Sequence, residues 1–284
     1  MADEQKYTIK KTNPVPWITG VVLAVVWLVI SIVPFFFMIL NSFKDKFEML
    51  VKGVFQMPEK LNWANYAEVI GGNFLRYLCN SLLVLAIALV VLLFISACAA
   101  YPLARFRFKL NGPIYSLIVA CMSIPMHITL IPVFRMTRSM GLYDTIWSLI
   151  GPYVAFAVPI SVFILTAFMK GIPVEIEESA SIDGCNRYRM FFTMILPLST
   201  PGLSTLAIYN GVSMWNEFSF AYTLTQSPSA RTLPLAVWDF QGQYAMNTPM
   251  IMAVLTLTVL PMILLYIVMQ DKLVKGMTAG AVKG

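Results

Sequence analysis

Glu178-Ser179-Ala180-Ser181-Ile182-Asp183-Gly184, with Met194-Ile195-Leu196-Pro197 further on, is a polar, helix-prone insert between two strongly apolar stretches. Pro173 suits a first helical turn, where a missing N–H costs nothing. Glu175, Glu177 and Glu178 complement the positive end of a helix dipole. Asp183-Gly184 reads as the stop, because glycine enters the left-handed region freely. A second helix is expected over Asn186–Leu196, exposing Arg187 and Arg189, before Pro197 and Pro201 break the path into the next apolar stretch. Such a helix–turn–helix is either a platform for a docking partner or an amphipathic hairpin resting on lipid.

The surroundings place this insert beside a membrane. The chain is 58% hydrophobic and 12% charged, which excludes ordinary soluble domains of this length. Six apolar stretches, Trp17–Leu40, Asn80–Leu103, Pro113–Phe134, Thr145–Phe168, Thr200–Leu224 and Pro249–Gln270, each approach the roughly 20 residues that cross a bilayer. Backbone groups in lipid must be satisfied internally, so these stretches are helices. The expected fold is all-α: a polytopic protein with six transmembrane helices in 17–270, a helical insert at 170–198 between the fourth and fifth, and tails at 1–16 and 271–284. The first stretch is too long for a cleaved leader, and no small-residue cleavage site follows it.

Six crossings put both termini on one side. Lys6, Lys10, Lys11, Arg105, Arg107, Lys109, Lys170, Arg187, Arg189, Lys272, Lys275 and Lys283 share that side, which makes it the cytoplasm by the positive-inside rule. The net charge of +6 then reads as a basic fringe facing anionic lipid and calls for no nucleic acid. Cys79, Cys98, Cys121 and Cys185 have neither metal-ligand nor disulfide-framework spacing. The lone His127, inside the third stretch, cannot build a metal cluster and reads as a hydrogen-bonded core histidine. No Gly-x-x-x-x-Gly-Lys-Ser/Thr loop is present, so an ATP site of that kind would lie on another chain. On the outer side, Asn41–Tyr77 is long and polar, Arg135–Asp144 is short, and Thr225–Thr248 contains Thr232-Leu233-Pro234. Pro125 and Pro132, seven apart, are expected to kink the third helix.

The insert resembles the EAA loop of ABC importer permeases. Glu178-Ser179-Ala180, three residues, Gly184, nine residues and Met194-x-Leu196-Pro197 keep that family's spacing, with Ser179 for Ala and Met194 for Ile. Ile182-Asp183-Gly184, Trp215-Asn216-Glu217-Phe218, Thr232-Leu233-Pro234 with Phe240-Gln241-Gly242, and the tail Val274–Gly284 are similar to those of carbohydrate importers, specifically the smaller, MalG-like permease of the maltose type. The resemblance implies a bacterial or archaeal inner-membrane protein with cytoplasmic termini. It implies a second permease subunit, two ATPase subunits holding ATP and Mg, and an extracellular or periplasmic sugar-binding protein. It implies no catalysis and no cofactor on this chain. Glu178, Ser179, Ala180, Asp183, Gly184, Leu196 and Pro197 would then couple to an ATPase subunit.

Glu217 is the one acid within an apolar stretch, and Asn210, Ser213, Asn216 and Glu217 recur at three- and four-residue steps. Such a polar face either meets sugar hydroxyls along a pathway or links neighbouring helices. An ion-coupled secondary transporter is the competing class. It would need paired intramembrane charges and no docking insert.

Overall fold

The computed structural model describes residues 14–240 and 247–281, and within them leaves out the side chains of 14–17, 265 and 268–281. The signals read at 1–13 and at Gln241-Gly242 lie outside the described residues. So do Lys283 and the side chains of the tail, whose backbone is helical to Ala281. The described residues form thirteen α-helical segments and no strand.

Helix α1 (Pro14–Ser42) presents apolar side chains such as Val22, Trp27 and Ile30 outward and packs on the last helix. Two short helices, α2 (Lys46–Lys52) and α3 (Ala64–Val69), fill the polar segment that follows. Asp45 caps α2 by accepting from the Glu48 N–H at 2.7 Å. Phe43 there meets Trp63 and Tyr66, with ring centroids 4.8 and 5.2 Å apart. A widened turn at Ile70–Phe74 leads into α4 (Leu75–Arg105), whose 31 residues rise about 46 Å and so outreach a ~30 Å hydrocarbon core.

The third apolar stretch is not one kinked helix. It divides into α5 (Asn111–Cys121) and α6 (Leu130–Ser139), with a 3₁₀ turn at Met126–Thr129, and the two parts lie at 90°. The break falls at Pro125, whose backbone is extended, while Pro132 sits in the first turn of α6 and bends nothing. Helix α7 (Trp147–Lys170) is continuous and runs against α4. Both helices bury small residues, Ala88, Ser96, Ala97 and Ala100 of α4 and Ala157 and Ser161 of α7, beside large ones such as Leu92, Leu149 and Leu165.

The insert follows as α8 (Glu175–Ile182) and α9 (Arg187–Met190), then a widened turn at Phe191–Ile195 and α10 (Leu196–Leu198). Pro173 precedes α8 instead of opening it, and the helix expected over Asn186–Leu196 is interrupted by the widened turn. Helix α11 (Thr200–Trp215) leaves this segment at 67° and stops well short of Leu224. After a break at Asn216–Phe218 come α12 (Ser219–Leu224), a 3₁₀ segment at Leu233–Phe240, and α13 (Thr248–Ala281).

Three helical stretches, Ile18–Ser42, Ala64–Arg105 and Trp147–Lys170, are each long and apolar enough to cross a bilayer. The two bent pairs, α5 with the Met126–Ser139 portion and Arg187–Leu198 with α11, pass the same test together, and Thr248–Leu264 is a shorter apolar helix.

At the α7–α11 crossing, a Cβ on buried Gly202 would sit 3.0 Å from Phe168 Cγ. Gly202→Val is expected to destabilise the detergent-solubilised protein by about 1–3 kcal/mol through overpacking. Adding Phe168→Ala should recover most of the lost Tm.

Candidate functional site

Helix α8 ends in a two-bond cap. Gly184, at φ 76°, donates its N–H to Ser181 O at 3.1 Å, and Cys185 donates to Ala180 O at 3.0 Å. Asn186 then caps α9, its Oδ1 accepting from the Arg189 N–H at 2.8 Å. Four residues thus close one helix and open the next with no free linker between them.

The inner face of the insert is fused to the bundle. Ala180, Met190, Phe191 and Ile195 are buried in one apolar cluster with Ala97, Ala100 and Tyr101 of α4, Leu165 and Met169 of α7, and Leu206 of α11. An ion pair joins Arg105 Nε, in the last turn of α4, to Glu177 Oε1 of α8, and both side chains are largely buried. Arg105 Nη2 also donates to Ile172 O at 2.8 Å, and Tyr101 O–H reaches Glu177 Oε2 at 3.4 Å. An amphipathic hairpin resting on lipid would not bury its apolar face in its own protein, so that alternative is set aside.

The predicted residues fall on two sides. Glu178, Ser179, Asp183 and Gly184 are exposed, and beside them Ile182 stands 86% exposed as an apolar knob. Ala180 is buried and Leu196 half-buried, both in the cluster, so they hold the insert in place. Pro197 is exposed in the short turn of α10. The outer face of α8 is therefore acidic and apolar, and its inner face is packing. Arg105 and Glu177 were legible only as a loop charge and a dipole charge, and their pairing is visible once α4 and α7 end on the same side.

The polar face expected over Asn210–Glu217 does not survive the break after Trp215. Asn210, 3% exposed, donates to Ser161 Oγ at 3.1 Å and Leu206 O at 2.9 Å, tying α11 to α7. Asn216 closes α11 and donates to its own helix at Val212 O, 2.8 Å away. Glu217 turns to the start of α12, where its carboxylate accepts from the N–H groups of Phe220 at 2.8 Å and Ala221 at 3.1 Å and from Tyr153 O–H at 2.9 Å. Asn210, Ser213 and Glu217 nevertheless line one cleft of about 140 Å³ with Met126, Tyr153 and Tyr209, which Asn216 does not join. His127 is exposed instead of buried, with Ser219 Oγ 3.4 Å from its Nε2. No metal-holding group occurs among the described residues, and all four cysteines are free.

At the opposite end, Asp144 joins the second and third loops. It holds φ 58°, donates its N–H to Leu224 O at 2.9 Å, and accepts on Oδ1 from Gln226 at 2.7 Å and Ser227 at 2.8 Å. Burial pushes its carboxyl up, but the Ser227 and Gln226 N–H groups and the Arg231 charge outweigh that, leaving it below the usual carboxylate range.

Residues 93–279 match the family described as "Binding-protein-dependent transport system inner membrane component". The chain belongs to this family. It is 52% identical over 259 residues to the provisionally named ABC transporter permease protein ORF2 of Caldicellulosiruptor sp. (strain Rt8B.4), covering 91% of this chain and 94% of that one. It is 33% identical over 264 residues to the sulfoquinovosyl glycerol transport system permease protein SmoH of Agrobacterium fabrum, covering 93% of each. Its fold matches a chain in the crystal structure of a bacterial ABC transporter involved in the import of the acidic polysaccharide alginate, with TM-score 0.79, 18% identity, and 93% and 98% of the two chains covered. As a member of that family it is a membrane component of a transport system.

Because the folded-state pKa of Asp144 is lowered, its stabilisation is present above the unfolded value and lost as pH falls through the folded one. Asp144→Asn should therefore melt below wild type at pH 7, and the difference should begin to shrink at about pH 4, where the unfolded carboxyl protonates, and close only at the lower pH where the folded carboxyl does.

Proposed function

We propose that this chain is one of two permease subunits in an ATP-driven importer of a carbohydrate, with α8 as the helix that receives the motion of an ATPase subunit. The carrying observation is the division of α8: one face is buried and ion-paired into α4, α7 and α11, and the other is exposed with Ile182, Glu178 and Asp183. A force applied at Ile182 passes into three helices at once. The family supplies the transport class. The alginate transporter and SmoH, which carry sugar polymers or glycosides by name, support a carbohydrate cargo.

In this reading the chain crosses the inner membrane six times with both termini cytoplasmic. The basic residues Arg105, Arg107, Lys109, Lys170, Arg187 and Arg189 gather at the end of the bundle that carries the insert, which favours the cytoplasm for that end. Domain boundaries stay at 17–270 for the membrane region, with 170–198 as the coupling segment and short tails outside. ATP and Mg belong to the two ATPase subunits, and a sugar-binding protein delivers cargo at the Asp144 end. Coupling falls to Glu178, Ser179, Asp183 and Gly184 on the contact face, with Ala180, Leu196 and Pro197 setting its position.

The cleft of Asn210, Ser213 and Glu217 supplies neutral donors and acceptors of the kind sugar hydroxyls use, and a second permease would complete it. Glu217 shapes that cleft by capping α12, its oxygens accepting from the Phe220 and Ala221 N–H groups and the Tyr153 hydroxyl. This argues against the ion-coupled alternative, since the six apolar stretches of the sequence hold no second acid to pair with it.

Gly184 tests the coupling role. A side chain at φ 76° costs roughly 1–2 kcal/mol in the left-handed region, and nothing lies within 4 Å of a Cβ there. Gly184→Val should therefore perturb the cap alone. In an assembled importer it is expected to leave the complex intact while hydrolysis loses its stimulation by cargo-loaded binding protein. Unchanged stimulation and uptake would refute the role of α8.

A further inference from the structure

We propose that the groove at the insert end of α4 binds one anionic glycerophospholipid. Two cavities meet there. The first, about 500 Å³, is walled by Cys98, Tyr101, Phe106, Tyr188 and Phe192, with Arg187 as its one charged wall. The second, about 810 Å³, shares Tyr101, Phe106 and Arg187 and adds Arg105, Arg107 and Lys170. One space is suited to hydrocarbon and the other to an anion, and Arg187 stands where they join.

The charges are available. Glu177 also lines the second cavity but is taken by Arg105, so Arg107, Lys170 and Arg187 face only Glu178. Arg187 is held in place, its guanidinium carbon 4.8 Å from the centre of the Phe106 ring, and Lys170 lies 5.5 Å from the Tyr115 ring. Three cations against one acid leave two positive charges in excess, which favours an anionic phosphodiester over a zwitterionic headgroup.

The apolar space is continued along α4. Phe94 lies one turn from Cys98 on the same face, and Val90 one turn further, and both are exposed. That path follows the long axis of a membrane helix, as an acyl chain would. Tyr188, 81% exposed at the rim, is the amphipathic ring expected at headgroup depth. A soluble protein docking on this end would use the basic cavity without the track up α4. Assignment to the inner leaflet rests on the orientation proposed above, but the chemistry of the groove does not. Basic pockets at the cytoplasmic ends of membrane helices are known lipid-headgroup sites in general.

The test uses the assembled importer, purified by size exclusion from mixed phosphatidylglycerol and phosphatidylcholine and examined by native mass spectrometry. Wild type is expected to retain phosphatidylglycerol in preference to phosphatidylcholine. Arg187→Ala should lower that retention about fivefold, the effect of one basic group near a lipid surface. Arg187→Lys should keep most of it, Cys98→Trp should lower it by filling the apolar space, and millimolar inorganic phosphate should not displace it. Equal phosphatidylglycerol retention in wild type, Arg187→Ala and Cys98→Trp would overturn the proposal, as would displacement by inorganic phosphate. Loss of the ATPase subunits with lipid retention unchanged would assign the groove to a protein contact and overturn it equally. In each overturning case an uncoupled Gly184→Val importer would leave the importer reading standing.

Discussion

The ion pair between Arg105 and Glu177 is the contact on which the functional geometry depends. Burying two opposite charges is costly, and the mutual attraction of such a pair often only offsets that cost. Its effect here is positional. Arg105 ends α4, Glu177 opens α8, and the second nitrogen of Arg105 holds Ile172 O between them. The apolar cluster beneath supplies adhesion that is largely non-directional, whereas an ion pair and a hydrogen bond demand particular atoms at particular distances. The ion pair and the carbonyl bond fix which turn of α8 faces α4, and therefore that Ile182 faces outward.

The caps extend the same logic. Gly184 and Asn186 end one helix and begin another within four residues, so displacement of α8 is not absorbed by a linker. At the other end Asp144 clasps the loop after α12, and Glu217 caps the start of α12 from within the bundle. Each polar group sits at a break in the helical ladder, where backbone N–H groups lack partners. The breaks at Pro125 and Asn216–Phe218 shape the cleft, since both border Met126, Glu217 and Phe220.

The sequence made the continuous helices and the insert readable because their signals are local. Apolar length located α1, α4 and α7, and Asp183-Gly184 marked the end of α8, where Gly184 takes the left-handed conformation. The bends were not readable in the same way. An apolar run keeps its hydropathy through a 90° turn, so Pro113–Phe134 and Thr200–Leu224 looked like single spans. Helical spacing groups Asn210, Ser213, Asn216 and Glu217, but the helix ends at Trp215. The bond from Tyr153 to Glu217 and the Asp144 clasp join residues 64 and 82–83 apart, and the capping of α12 by Glu217 depends on a break that no local pattern announces. Arg105 with Glu177 belongs to the same class, being readable only when the ends of α4 and α7 are known to meet.

The most direct measurement compares uptake with hydrolysis in proteoliposomes holding the importer with Arg105→Ala. That change leaves Glu177 without its partner and removes the register bond to Ile172, while Ile182 and the cap at Gly184 stay as they are. Continued ATP hydrolysis with cargo uptake per ATP strongly reduced is the predicted result. Uptake per ATP equal to wild type would contradict a rigid connection from α8 into the bundle.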